Sequence, residues 1–227
     1  QTLRDAKWVR ISCDSADAET YARVRKISRD AFDKVCDNIR EFARIKDKNC
    51  ELGVNFVINH ENADQVYDMA VLSKNMGVNH IKFAARITKG LLEYHELFRE
   101  SVIEQIHRAQ KELEDESFKI INKYEGDFET AMIFARQYHK CYVSNLVTTI
   151  AADCKVYFCH DKAYVSSGIV GDLKEKTFKE VWFSDEVVER YQKFDAQKEC
   201  QHHCVYDDRN ILLNTLYGLD ENQINFI

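Results

Sequence analysis

The residues of this chain best suited to chemistry are its cysteines. Cys200 and Cys204, separated only by Gln-His-His, bring two thiols close together. Cys141 and Cys159 flank a stretch in which Val-Thr-Thr-Ile and Lys-Val-Tyr-Phe read as the arms of a hairpin turning through residues 151–154. Two distant pairs of thiols that a fold can gather form a metal site, either a four-thiolate zinc or an iron–sulfur cluster. Cys154 is near enough to Cys159 to replace it as a ligand, and His160, His202 and His203 extend the donor set toward zinc. Cys13, Cys36 and Cys50 lie in or beside strands and on a helix, and read as small buried side chains.

The chain has 227 residues and eight cysteines. Gln1 opens no apolar run long enough for a signal peptide, and no stretch reaches the length needed to cross a bilayer. The expectation is therefore a cytoplasmic protein with no membrane partner, whose thiols are kept reduced and bind metal rather than pair as disulfides. A net charge of −6, with cations spread among acids, gives no basic stripe and argues against nucleic acid as a partner. This length supports one α/β domain of roughly 130 residues plus a smaller module.

Elements that could position the cysteines follow from periodicity. Residues 7–14 read as a strand running into a polar loop and helix. Residues 31–45 place Phe32, Val35, Ile39 and Phe42 on one helical face. Residues 50–59 are the next strand, residues 63–76 a helix closed by Gly77, and residues 80–85 a third strand. This βαβαβ order implies a parallel sheet whose ligands gather at the carboxyl ends of its strands, residues 12–14, 58–60 and 85–87. Residues 91–124 read as one long helix or two abutting ones. Beyond Phe128 come the hairpin, a loop carrying Gly168 and Gly171, and helices over 177–183, 186–194 and beyond Asp208.

Taken in order, Cys141, the segment Ile150-Ala-Ala-Asp-Cys-Lys-Val-Tyr-Phe-Cys159, Gly171-Asp-Leu173, Phe178-Lys-Glu-Val-Trp182 and Cys200-x3-Cys204 resemble the SPASM or shortened "twitch" extension of radical S-adenosylmethionine enzymes. Upstream, WVRISCDSADAETYARVR, LGVNFVIN and HIKFAARI are similar to that family's fourth, fifth and sixth barrel strands. The resemblance implies an α/β fold with the C-terminal half of a partial (βα)6 barrel over residues 1–125. A small α+β SPASM/twitch domain over residues 126–227 would cap it, with Cys141, Cys159, Cys200 and Cys204 holding one auxiliary 4Fe-4S cluster. No CxxxCxxC occurs, so the resemblance places the ligands of the catalytic 4Fe-4S cluster, and the missing N-terminal barrel half, outside this chain. It also departs from the family at Cys154, where the hairpin usually carries glycine.

The resemblance further implies a bound S-adenosylmethionine that yields a 5′-deoxyadenosyl radical, and an electron donor such as flavodoxin or ferredoxin. Ser12 and Asp14 match positions that meet the cofactor's ribose and methionine portions, Arg25 one that pairs with its carboxylate, and Asn55 a weaker contact on the next strand. Arg23 competes with Arg25, and Asn59 stands beside Asn55. Arg86, ending the third strand, is the expected catalytic residue, steering a substrate oxygen. The expected function is oxidation of a small-molecule substrate, a polar sugar- or cyclitol-like alcohol. The alternatives are a peptide or protein maturase of the same superfamily and, from another class, a zinc-binding structural module. His80 and His95 are expected to be solvated or capping, and Tyr142, Phe158, Tyr164 and Trp182 to pack around the cluster.

Overall fold

The structure, a computed structural model, describes residues 3–88, 90–130, 135–201 and 203–218. Gln1 and His202 lie outside the described residues. The chain forms two compact units, Gln1–Met132 and Ile133–Ile227.

The first unit contains β1 (Trp8–Ser12), α1 (Ala18–Arg25), α2 (Asp30–Ile45), β2 (Glu51–Ile58), α3 (Val66–Asn75), β3 (His80–Ala85), α4 (Leu91–His95), α5 (Arg99–Leu113), β4 (Lys119–Asn122) and α6 (Tyr124–Thr130). Its sheet runs in chain order, β1-β2-β3-β4, with every pair parallel. Consecutive order means that the winding never reverses, which is the topology of a barrel arc rather than of a doubly wound sheet.

Strand alternation explains what each face does. Leu52, Val54, Phe56 and Ile58 of β2 and Ile81, Phe83 and Ala85 of β3 all point to one side. There they share a core with Phe32, Cys36 and Ile39 of α2, Val66, Met69 and Ala70 of α3, and Val102, Ile106 and Ala109 of α5. Phe56 and Phe83 meet edge-on with ring centroids 5.7 Å apart, and truncating either to alanine costs about 3–5 kcal/mol. The opposite face carries Arg10, Ser12, Asn55, Lys82 and Lys119, none of them buried.

Local signals fix the element ends. Asp17 caps α1, its carboxylate accepting from the Thr20 N–H at 2.8 Å, and Lys26 closes the helix in the left-handed region at φ 55°. Gly77 follows α3 at φ 80°, as expected for a C′ glycine. Residues 91–124 depart from the expectation of continuous helix. The helices stop at Leu113 and β4 follows, adding a fourth parallel strand through Ile81↔Ile120 and Lys82↔Ile121. β4 is four residues long and buries only Ile120, too short to show a period of two.

The second unit holds an antiparallel sheet of β5 (Thr149–Ile150), β6 (Lys155–Tyr157) and β7 (Ile169–Asp172), then α7 (Phe178–Trp182), α8 (Asp185–Lys193), α9 (Ala196–Glu199) and α10 (Asp207–Tyr217). The β5–β6 hairpin stands where the sequence places it. Gly171 lies in a strand rather than a loop, paired with Val156, while Gly168 ends a short 3-10 turn just before it. Gly171 is required there, since a Cβ would come within 2.3 Å of Val181 Cγ1 on α7. Thr177 and Glu180 form a reciprocal capping box at the start of α7.

Candidate metal centre and cofactor site

Three separate chain segments carry the four cysteines. Cys141 precedes a short 3-10 turn over Tyr142–Asn145, Cys159 follows β6, and Cys200 and Cys204 lie between α9 and α10. All four line one cavity, together with Tyr138, Phe158, Phe194, Lys162 and Arg136. Burial pushes each of three thiols above the usual cysteine value: Cys159 upward, Cys200 to about 12 and Cys204 to about 11, with the neighbouring thiols adding in the same direction. Such thiols shed their protons only when a metal takes their place. The Lys162 ammonium eases ionisation of Cys200, and the Arg136 guanidinium that of Cys204. Arg136 is itself held by Asp207, which also accepts from the Tyr138 hydroxyl at 2.9 Å. Asn210, fully buried on α10, donates to Cys141 Sγ at 3.4 Å and accepts from the Val143 N–H at 3.1 Å.

Four thiols lining one cavity are the donor set an iron–sulfur cluster takes, and Lys162, Arg136 and the Asn210 amide would offset the negative charge of such a group.

The other thiols stand apart. Cys154 is exposed at the hairpin turn with φ 65°, the conformation that favours glycine, and it does not line the cavity. Cys13, Cys36 and Cys50 are buried in the first unit. His160 is partly exposed and faces Asp161 at 3.2 Å, outside the cavity lining. Of the four aromatic residues expected at the cluster, Phe158 lines the cavity, stacked on Phe194 at 5.1 Å. Tyr142 packs instead on Tyr217, Trp182 on Phe178, and Tyr164 is 67% exposed.

At the carboxyl ends of the sheet, the structure brings Ser12, Asp14 and Arg25 together. One Arg25 amino group lies 2.7 Å from Asp14 Oδ2 and donates to Ser12 Oγ at 3.1 Å. Asp14 Oδ1 accepts from the Val57 N–H at 2.8 Å. Burial raises the Asp14 carboxyl above its ordinary value, while the Val57 N–H and Arg25 pull it back. Arg23 instead pairs with Glu61 at 3.1 Å. Asn55 is the strand neighbour of Ser12. Asn59 is buried and takes part in the turn, its Oδ1 accepting from the Glu61 N–H at 2.7 Å.

Two residues not anticipated from the sequence hold this loop. Asn62, fully buried, donates to the Asp14 and Val57 carbonyls at 2.9 and 3.0 Å, and Gln65 accepts from the Ala16 N–H at 2.9 Å. Their only sequence signal is a polar cluster directly after a strand.

Arg86 is exposed, with its guanidinium 5.8 Å from the Tyr94 ring centre. The Tyr94 hydroxyl is 2.8 Å from His60 Nδ1. His95 is not solvated: it is fully buried against Tyr124, Phe98 and Phe128. Its Nδ1 lies 2.9 Å from the Tyr124 hydroxyl and its Nε2 3.2 Å from the Arg86 carbonyl. His80 is also largely covered, its ring lying over Gly53, where a Cβ would meet Nε2 at 2.1 Å.

Residues 141–205 match the SPASM family, an iron-sulfur cluster-binding domain. Over these residues the chain is similar to an iron-sulfur cluster-binding domain, whose cofactor is an iron–sulfur cluster. No curated protein matches the chain. Among solved structures, that of SuiB from Streptococcus suis is similar at 11% identity and a TM-score of 0.47, covering 78% of this chain and 43% of that one. SuiB bound to S-adenosylmethionine is similar at 12% identity and TM-score 0.49, covering 82% and 44%. SuiB bound to the precursor peptide SuiA gives 11% and 0.48, covering 82% and 44%. The chain thus spans less than half the length of these structures. No helix among the described residues is long and apolar enough to cross a membrane.

Proposed function

We propose that this protein works as a radical S-adenosylmethionine enzyme of the SPASM type, acting on a peptide, with Cys141, Cys159, Cys200 and Cys204 holding its auxiliary 4Fe-4S cluster. The observation that carries the reading is the convergence of these four thiols, from three chain segments, on one cavity furnished with Lys162, Arg136 and Asn210. S-adenosylmethionine, when bound and reduced, supplies a hydrogen-abstracting radical, and the auxiliary cluster supplies a path for the remaining electron.

The chain's own residues orient the reactants. Arg25 offers a planar fork to a carboxylate, with Asp14 holding it in place and Ser12 and Asn55 adding polar contacts on neighbouring strands. Arg86 follows β3 with its guanidinium 5.8 Å from the Tyr94 ring centre, and its role in this reading is to steer a substrate oxygen. The sheet face away from the helices carries polar side chains on all four strands, which supports a polar, extended substrate such as a peptide.

The test is the iron and sulfide content of protein purified without oxygen. About four irons and four sulfides per chain, with broad absorbance near roughly 400 nm, are expected, and Cys200→Ala with Cys204→Ala should abolish both. A colourless protein holding about one zinc after anaerobic reconstitution would replace this reading with a structural zinc module. Hydrogen transfer from a sugar-like alcohol in the complete enzyme, with none from any peptide, would return the substrate to a small polar molecule.

A further inference from the structure

The thiol-lined cavity of the second unit contains a cation that is tied to its walls. Lys162 lines the cavity with Cys141, Cys159, Cys200 and Cys204, and its side chain is only 13% exposed. It ends a 3-10 turn, His160–Lys162, that begins directly after Cys159, and its N–H donates to the Cys159 carbonyl at 3.2 Å. Gly168 closes the loop behind this turn, its carbonyl accepting from the Phe158 N–H at 3.0 Å. No larger residue fits there, because a Cβ would come within 2.0 Å of the Lys162 carbonyl oxygen.

The Lys162 ammonium crosses from this loop to another segment. It donates to the Glu199 carbonyl at 2.6 Å, and Glu199 is both the last residue of α9 and the neighbour of Cys200. A carbonyl at a helix C-terminus has no partner within the helix, and a lysine there satisfies it. The Glu199 carboxylate stands off at 4.0 Å and is 40% exposed, which leaves the ammonium only partly neutralised. After burial, this ammonium is the strongest influence on Cys200, and it favours the thiolate. One side chain thus joins the Cys159 segment to the Cys200 segment and holds a fixed positive charge beside the sulfurs.

We propose that Lys162 is a positioning residue of the metal centre: its charge raises the reduction potential of the cluster, and its bond to Glu199 helps to retain it. The inference deepens the cluster reading above and rests on it. A fixed ammonium stabilises the cluster more after it has gained an electron than before, because the added negative charge meets the same cation. The hydrogen bond acts on retention instead, by opposing the separation of Cys159 from Cys200.

The test uses the full chain, reconstituted anaerobically with iron and sulfide, titrated with dithionite against redox dyes and assayed for iron release to a chelator. Lys162→Gln removes the charge, while its amide can still donate to the Glu199 carbonyl. It should hold its iron as long as the wild type does, yet be reduced with an equilibrium constant about tenfold smaller, or about 59 mV lower for one electron. Lys162→Met lacks both functions, and should show the same shift and release iron about tenfold faster. Lys162→Arg should match the wild type in both respects, and Lys179→Met, exposed on α7, should change neither. Circular dichroism checks that each variant folds. A wild-type potential in Lys162→Gln, iron loss as fast in Lys162→Gln as in Lys162→Met, or wild-type retention in Lys162→Met overturns the proposal. A potential as low in Lys162→Arg as in Lys162→Met does so as well. Iron in the wild type keeps the two readings apart: a loaded cluster whose potential ignores Lys162 refutes only this role, whereas a wild-type chain that takes up no iron refutes the metal centre and this role with it.

Discussion

Cys154 and Asn210 show how much a single residue decides here. Cys154 holds a left-handed conformation that costs an L-residue about 1–2 kcal/mol. Cys154→Gly should therefore raise the unfolding free energy by about 1 kcal/mol in urea titration while leaving the iron content unchanged. Loss of iron in that variant would make Cys154 a ligand. Asn210 acts in the opposite sense, because its buried amide serves both Cys141 and the Val143 N–H. Asn210→Leu should destabilise by about 1–3 kcal/mol and, by removing an N–H donor from the proposed ligand Cys141, lower the midpoint potential of the proposed cluster in a redox titration.

At the scale of elements, α4 carries a histidine whose surroundings make a pH-dependent clamp. Burial lowers the His95 pKa, with the Arg86 carbonyl opposing and Arg99 reinforcing. The unfolded chain takes up a proton near pH 6.5 while the folded chain does not. Stability is therefore complete above that pH and falls as the pH drops through the interval down to the depressed folded value, by up to about 1.4 kcal/mol per pH unit. Urea unfolding at pH 7.5 and 5.5 should show this, and His95→Gln should flatten the dependence at some cost in stability. At β7, Gly171→Ala should cost about 1–3 kcal/mol, because the added methyl meets Val181.

The same scale shows what the sequence could disclose. β2, β3 and α2 carried clear periods because each buries a full face, whereas β1, none of whose residues is buried, was marked by its β-branched and aromatic residues. The cysteine order sufficed to single out the four thiols that line one cavity, since thiols have few other reasons to recur at those spacings. β4 and β7 were hidden, the first by its four-residue length and the second by its glycine. His95 was misread because nothing local signals that Tyr124 and Phe128, about thirty residues on, close over its ring. The partners of Arg23 and Arg25 also needed three dimensions, as both sit on one short helix, yet the first pairs with Glu61 and the second with Asp14.

For the molecule as a whole, two compact units with unequal cores imply two unfolding events. The large apolar cluster belongs to the first unit, whereas in the second Tyr138, Val143, Phe158 and Ala196 are among the buried side chains that line the thiol cavity. Structural metal binding contributes directly to folding free energy where ligands converge only in the folded state. Stripping iron with a chelator under reductant should thus lower the unfolding midpoint of Ile133–Ile227 and leave that of Gln1–Met132 in place. Limited proteolysis followed by mass spectrometry should find the new cuts after residue 133.

The grip of Asp14 on Arg25 also has a calorimetric consequence. An anionic ligand that draws the guanidinium to itself leaves Asp14 in the same covered position with one fewer stabilising contact, and its carboxyl then binds a proton more readily. Ligand capture at this corner should be accompanied by net uptake of hydrogen ions. The heat released would then differ between buffers of different ionisation enthalpy, and that difference should vanish in Asp14→Asn.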